Sequence, residues 1–431
     1  MNKTTFLSLL LGSAFTLSAS AELKLQATAD RPDALYKVGE EATFTVTATD
    51  DDKPLTEGTV KVAFSKDGIQ PQPPQTLTLK EGKATISGKL DEPGFLSLES
   101  RSGKTATIAG AGYDPEQLKP SMPVPPDFDT FWQAQKAKLA EVPMNPRLTP
   151  KTDHKAINNT DLELFDVQLD CVGAPVSGYY IRPKNAAKGS LPAILTLHGA
   201  GVRSSGINAQ WCSVEGGMIT LDINAHGLPN GNPPEYYENL RKGELFHYST
   251  WGRSDRDKIY FLNMFQRVLR AIDFLAAQPE WDGKTLILYG SSQGGFQAFA
   301  GAALDPRVSF FCAGVPAGCD HTGFAANRVA GWPKLVAMTP DAKHDLASTE
   351  AARYFDNVNF ATRIKTKGAA VSVGFIDRVC PPTSVYAAYN ALTVPKKIHI
   401  DTLAGHTNTP GAVEFMKQAV IEHIREMKDA K

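Results

Sequence analysis

The stretch from Thr285 to Leu304, TLILYGSSQGGFQAFAGAAL, constrains this chain more than any other. It starts β-branched and apolar, ends rich in Ala and Phe, and has a knot of Gly and Ser between. The pattern predicts a buried strand handing over to a helix through a turn with small residues at Gly290 and Gly294. Such a unit belongs to a mostly parallel sheet covered by helices on both faces.

The neighbouring sequence extends that sheet. Apolar runs recur as LELFDVQLD, GYYIRP, PAILTLHG, GMITLDIN, LILYG, VSFFCAGVP, AAVSVGFID and KIHIDTL. Helical segments such as FLNMFQRVLRAIDFLAAQP and SVYAAYNALT separate several of them. Two opening strands followed by strand–helix alternation predict an α/β domain over residues 128–431 with an eight-stranded sheet. Residues 22–112 read differently. Short alternating strands such as ATFTVTATD and TVKVAFS, broken by Gly, Pro and Asp, predict an immunoglobulin-like β-sandwich. Within it, TLTLKEGKATISG reads as a hairpin turning at Glu81–Gly82. Residues 113–127, DPEQLKPSMPVPPDFDTFW in part, form a Pro-rich linker, with Asp127 as N-cap of the next helix.

Residues 1–21, MNKTTFLSLLLGSAFTLSASA, have Lys3, an apolar run from Phe6 to Leu17 and a small-x-small ending. They read as an export signal cleaved near Ala21, giving a periplasmic or extracellular protein. The net charge of -1 offers no polycationic face for nucleic acid, and no internal stretch has the length and apolarity of a membrane span. The five cysteines are an odd number without CxxC spacing, so no metal site is expected. A disulfide is compatible with export, but the sequence selects no pair, and Cys312 reads as a buried apolar residue.

Gly290, Ser291, Ser292, Gln293 and Gly294 satisfy G-x-S-x-G, with the strand before and the helix after that a nucleophile elbow requires. Ser292 would sit at the helix N-terminus, where free amides favour developing negative charge. The alternative is a tight turn with incidental serines. A serine nucleophile needs a base and an orienting carboxylate, in the chain order Ser, acid, His on an α/β-hydrolase fold. Of the later histidines, His399 lies within a strand and is expected to be packed, and His423 is expected on a solvated helix face. His406, in LAGHTNT after the last strand, stands where a base must stand. Asp377, ending AAVSVGFID, is favoured as the acid over Asp320, one strand earlier. The oxyanion donors would be the amides of Gln293 and Ala200.

Around these residues the chain resembles the acetyl xylan esterases and cephalosporin C deacetylases among carbohydrate esterases. The resemblance runs from about Pro126 to Glu426. It is carried by DFDTFW, LTLHG, RAIDFLAAQPEWD, GSSQGG, YFDNVNFATRIK, VGFIDRVCPPTSVYAAYNAL and AGHTN. It implies Ser292 as nucleophile, His406 as base and Asp377 as its orienter, removing acetyl groups from sugar hydroxyls with no metal or cofactor. Acetylated carbohydrate is the implied substrate partner, and the family's ring-shaped hexamer makes a homo-oligomer one expected state. Two positions depart from the family pattern. Asn224–Gly227, NAHG, stand where the family usually has Arg-Gly-Gln, and Thr407 stands where it usually has Glu. Both point to a divergent branch. His226 reads as a structural histidine or a substrate contact. Tyr237 and Trp251, with Tyr236, lie in an aromatic loop segment whose rings would stack on sugars or cover the sheet edge. The competing readings are a serine peptidase on the same fold and a catalytically silent glycan-binding protein.

Overall fold

The computed structural model describes residues 23–69 and 71–429, so the export signal expected at residues 1–21 lies outside the described residues. Nine short strands come first. They are β1 (Leu23–Ala29), β2 (Leu35–Tyr36), β3 (Ala42–Asp50), β4 (Lys53–Pro54), β5 (Thr59–Lys66), β6 (Gln75–Thr78), β7 (Lys83–Gly88), β8 (Gly94–Ser102) and β9 (Thr105–Tyr113). One sheet has the order β1-β3-β4 with β7 also on β3, and the other has the order β2-β9-β8-β5-β6. In β3 the burial alternates residue by residue, with Ala42, Phe44, Val46 and Ala48 inward, as a half-buried strand requires.

The turn at Glu81–Gly82 forms as the sequence suggests, but it does not make a hairpin. Both residues have positive φ, 50° and 74°, and Lys80 and Lys83 exchange both backbone hydrogen bonds. The flanking strands then part: β6 pairs with β5 and β7 pairs with β3, in opposite sheets. Local turn chemistry sets the reversal of the chain. Each strand's partner is set by which sheet buries its apolar face.

The second unit is a nine-stranded sheet. Its strands are β10 (Arg147–Pro150), β11 (Leu162–Leu169), β12 (Val176–Pro183), β13 (Leu191–Leu197), β14 (Ile219–Ile223), β15 (Trp281–Ser291), β16 (Phe310–Gly314), β17 (Gly368–Gly374) and β18 (Lys396–Asp401). The order is β10-β11-β12-β14-β13-β15-β16-β17-β18. Strands β14 through β18 pair in parallel, and the pairs from β10 to β14 are antiparallel. The strand beyond the expected eight is β10. It is exposed throughout and flanked by proline, so it carries no apolar pattern to read. The central strands β13, β14, β16 and β17 are buried at every position, because helices cover both faces.

The helices that matter for the site are α1 (Phe128–Ala140), α2 (Pro234–Lys242), α3 (Tyr260–Ala276), α4 (Gln293–Leu304), α5 (Leu346–Ala352), α6 (Asn357–Ala361), α7 (Pro382–Ala391) and α8 (Pro410–Asp429). Asp127 occupies the N-cap position of α1 but makes no capping bond. Its carboxylate instead pairs with Arg256 Nη1 at 2.7 Å and accepts from the Tyr354 hydroxyl. The Pro-rich stretch is clamped down rather than free. Ser121 donates from N and Oγ to Asp320 Oδ1, Arg328 Nη2 donates to Lys119 O, and Asn390 Nδ2 donates to Pro115 O and Leu118 O. The sandwich is joined through apolar contact as well. Phe95 and Ala34 belong to the same buried apolar cluster as the core of the sheet domain.

Candidate active site

Residue size decides the turn between β15 and α4. Ser292 has φ 55° and ψ −119°, a sparsely populated conformation that costs on the order of 1–3 kcal/mol. Three backbone hydrogen bonds hold it there. Its N–H donates to Gly314 O at 2.8 Å, and its carbonyl accepts from Phe296 N at 3.1 Å and Ala317 N at 3.0 Å. A Cβ on Gly290 would lie 2.3 Å from Gly294 O, and one on Gly294 would lie 2.0 Å from Leu197 O. Both distances are far inside van der Waals contact, so only glycine fits either position.

The strand ends bring the other two groups to this turn. His406, in the loop after β18, has Nε2 2.8 Å from Ser292 Oγ and Nδ1 2.8 Å from Asp377 Oδ2. Asp377, three residues past β17, has a fully buried side chain, and its Oδ1 accepts from Val379 N at 2.7 Å and Cys380 N at 2.9 Å. A carboxylate so placed accepts from Nδ1–H, which leaves the Nε2 lone pair for the serine proton. Asp377, Cys380 and His406 place ligand atoms within 4.8 Å of one another. Both Asp377 oxygens are already engaged, and burial pushes the Cys380 thiol well up, away from the thiolate a metal needs.

The rivals sit elsewhere. Asp320 is buried against Arg328 Nη2 at 2.8 Å and ties down Ser121. His399 lies 3.3 Å from Asp401 and tilts against Phe415. His423 corrects the expectation of a solvated residue. It is 2% exposed, stacks on Phe310 at 4.8 Å and shares a hydrogen bond with Ser309 Oγ, because that face of α8 covers the sheet. All five cysteines are unpaired, and Cys312 is fully buried.

The loop after β13 passes beside Ser292. A Cβ on Gly199 would lie 3.7 Å from Ser292 Cβ. Among the described residues, neither the Ala200 amide in this loop nor the Gln293 amide in the first turn of α4 donates to a protein acceptor. The loop is braced from behind. Tyr248 donates its hydroxyl to Gln293 Oε1 at 2.6 Å and accepts from Gly201 N at 3.4 Å. His198 accepts from Ala225 N at Nε2, 3.0 Å, so its Nδ1–H donates to Gly199 O at 2.6 Å. Burial drops this imidazole's pKa to about 4, keeping it neutral. Tyr248 was not singled out from the sequence, since nothing local distinguishes it from the other aromatics of its segment.

His226 and Tyr237 have structural contacts. His226 is buried, with Nδ1 2.7 Å from the Tyr260 hydroxyl and Nε2 3.1 Å from Gly201 O, and burial lowers its pKa to about 3. Tyr237 is buried and donates its hydroxyl to Pro229 O at 2.7 Å. Neither offers a free polar atom. Trp251 differs: it is 40% exposed, and its edge-on contact with Tyr260 at 5.5 Å joins it to the aromatic cluster behind Gln293. A cleft of about 780 Å³ lies beside the elbow, lined in part by His198, Gly199, Arg203, Trp211 and Ser291.

Residues 115–426 match the family model for acetyl xylan esterases, AXE1. The chain is 33% identical over 390 residues to the acetyl esterase Axe7A of Xylanibacter ruminicola, covering 88% of this chain and 85% of that one. The acetyl xylan esterase from Paenibacillus sp. R4 superposes with a TM-score of 0.60 at 27% identity, covering 71% of this chain and 97% of that one. Acetyl xylan esterase 1 from a Thermoanaerobacterium species superposes with a TM-score of 0.57 at 24% identity, covering 72% and 97%, a likeness of fold.

Proposed function

Because this chain belongs to the acetyl xylan esterase family, a family of serine esterases on the α/β-hydrolase fold, we propose that it is an exported enzyme removing acetyl groups from acetylated sugars. The reaction runs through an acyl-enzyme on Ser292. The observation that carries this reading is the continuous hydrogen-bonded line from Ser292 Oγ through His406 to Asp377.

As Ser292 Oγ attacks the acetyl carbonyl, His406 Nε2 takes the hydroxyl proton and Asp377 stabilises the imidazolium. The amides of Gln293 and Ala200 receive the oxyanion, and one such donor is worth about 100- to 1000-fold in rate. Collapse breaks the ester bond, and His406 gives the proton to the departing sugar oxygen, which leaves as the free hydroxyl. Water then attacks acetyl-Ser292 with His406 as base, releasing acetate and restoring the serine.

Trp251, with its exposed face, supports a sugar-stacking role, whereas His226 and Tyr237 hold the site from behind. The sandwich is immunoglobulin-like in our reading. That rests on the order β2-β9-β8-β5-β6 facing β1-β3-β7, with β2 running parallel to β9. Export rests on the sequence of residues 1–21, and among the described residues no helix is long and apolar enough to cross a membrane. Substrate contacts with nucleic acid are not part of this reading, and a homo-oligomer is compatible with it.

Four substrates test the reading: p-nitrophenyl acetate, a longer-chain ester, acetylated xylo-oligosaccharides and a chromogenic peptide, each with wild type and Ser292→Ala. We expect acetate release from the first and third, lost in Ser292→Ala. Undiminished hydrolysis by Ser292→Ala would remove the nucleophile, and peptide cleavage without ester cleavage would assign a peptidase. N-terminal sequencing of the exported protein tests cleavage near Ala21, and retention of Met1 would refute it.

A further inference from the structure

The second serine of the elbow, Ser291, has a partner that the esterase reaction does not explain. Asn408, two residues after His406, donates from Nδ2 to Ser291 Oγ at 2.6 Å. Its Oδ1 accepts from Ser372 Oγ at 2.8 Å, and Ser372 Oγ in turn accepts from Val315 N at 3.0 Å. Ser291 ends β15, Val315 follows β16 and Ser372 lies in β17. One amide therefore spans three adjacent strands.

The fit leaves no slack. A Cβ on Gly314 would lie 2.5 Å from Asn408 Oδ1, 2.6 Å from its Nδ2 and 2.8 Å from Ser291 Oγ, so the amide lies directly on glycine backbone. The next residue makes a second anchor, with Thr409 Oγ1 donating to Asp401 Oδ2 at 2.7 Å. Between β18 and α8 the polypeptide is a loop with His406 at its centre, held on the near side of His406 by Ile376 N donating to Ala404 O at 3.2 Å and on the far side by Asn408 and Thr409.

We propose that Asn408 is a positioning residue that ties the His406 loop to the ends of β15, β16 and β17, and so sets His406 Nε2 against Ser292 Oγ. The inference rests on the triad reading given above. The two strands flanking the amide are those that deliver Ser292 and Asp377, so the tie references the base to both of its partners. Ser291 thereby has a function of its own: it supplies the acceptor on the nucleophile's strand, one residue from the nucleophile.

The test is steady-state kinetics on p-nitrophenyl acetate for Asn408→Ala, Ser291→Ala and the double variant, with thermal melts. A displaced catalytic group costs up to about 100-fold in rate, so Asn408→Ala should lower kcat roughly 10- to 100-fold with KM within about twofold. Ser291→Ala should lower kcat by less, and the double variant should match Asn408→Ala, because both remove one tie. A purely structural amide would lower the melting temperature and leave kcat of the folded enzyme in place. The proposal is overturned if kcat stays within twofold of wild type, if KM rather than kcat carries the loss, or if the two single losses multiply. Should Asn408→Ala fail to fold, Ser291→Ala decides: unchanged kcat overturns the proposal. Ser292→Ala is measured alongside, and activity surviving there would refute the triad reading itself, a separate outcome.

Discussion

His406 Nδ1 lies 2.8 Å from Asp377 Oδ2, while the other oxygen of that carboxylate is held by the amides of Val379 and Cys380. Asp377 is thus fixed to its own loop with one oxygen and meets the His406 ring with the other. Replacing Asp377 with Asn should keep the loop bonds at Oδ1 but lose the acceptor that selects the imidazole tautomer. We expect kcat to fall by about 10⁴-fold with KM little changed, measured by initial rates on p-nitrophenyl acetate. In contrast, Asp320→Ala should leave the chemistry intact and cost roughly 3–5 kcal/mol of stability, because Arg328 is left buried without its counter-charge. A large kcat loss in Asp320→Ala with normal stability would reverse the assignment.

Gly294 has no room for a methyl group, with Leu197 O 2.0 Å from the place a Cβ would take. Gly294→Ala should therefore destabilise the protein by about 4 kcal/mol or more, or prevent folding outright. Gly206, where the nearest atom to such a Cβ is 3.6 Å away, provides the control: Gly206→Ala should cost under about 1 kcal/mol. Urea unfolding compares the two, and equal costs would contradict the steric account.

Stability should fall with acid through buried histidines. Burial lowers the His423 pKa to about 4 from the ordinary 6.5, so the unfolded chain takes up its proton first. The contribution is fully present above about pH 6.5 and is lost as pH drops to about 4, a change on the order of 3 kcal/mol. His321, also buried and lowered to about 4, acts with the same sign. Urea unfolding at pH 7 and pH 4.5 should show a shallower pH slope for His423→Gln than for wild type. An identical slope would mean that His423 is not neutral in the folded state.

Strands β8 and β9 bear directly on the loop that carries Asp377. Phe95 packs edge-on against Phe375 at 5.0 Å and lies tilted against Tyr386 at 5.5 Å. Glu99 Oε2 accepts from Arg378 Nη2 at 2.6 Å, and a Cβ on Gly110 would lie 2.7 Å from Phe375 O. Asp377 lies between Phe375 and Arg378 in the sequence. Phe95→Ala should cost about 3–5 kcal/mol in stability, and we also expect a several-fold lower kcat at unchanged KM. Loss of stability with kcat unchanged would make the sandwich a neighbour of the Asp377 loop without influence on it.

Local chemistry made much of this protein legible in its sequence. The Gly-Ser-Ser-Gln-Gly turn, the apolar runs and the chain order Ser292, Asp377, His406 all report short-range requirements: which residues fit a sharp turn, bury a strand face or end a strand. The elbow could be read because Gly290 and Gly294 tolerate no substitute. Tertiary structure alone decided the pairings. The strands on either side of Glu81–Gly82 went to different sheets, β10 joined an edge without an apolar signal, and His423 was buried because α8 turned that face inward. Tyr248 and Asn408 lie 45 and 117 residues from Gln293 and Ser291, the residues they hold. A hydrogen bond between side chains so far apart leaves no periodicity or local motif, since its geometry exists only once the strand ends are assembled.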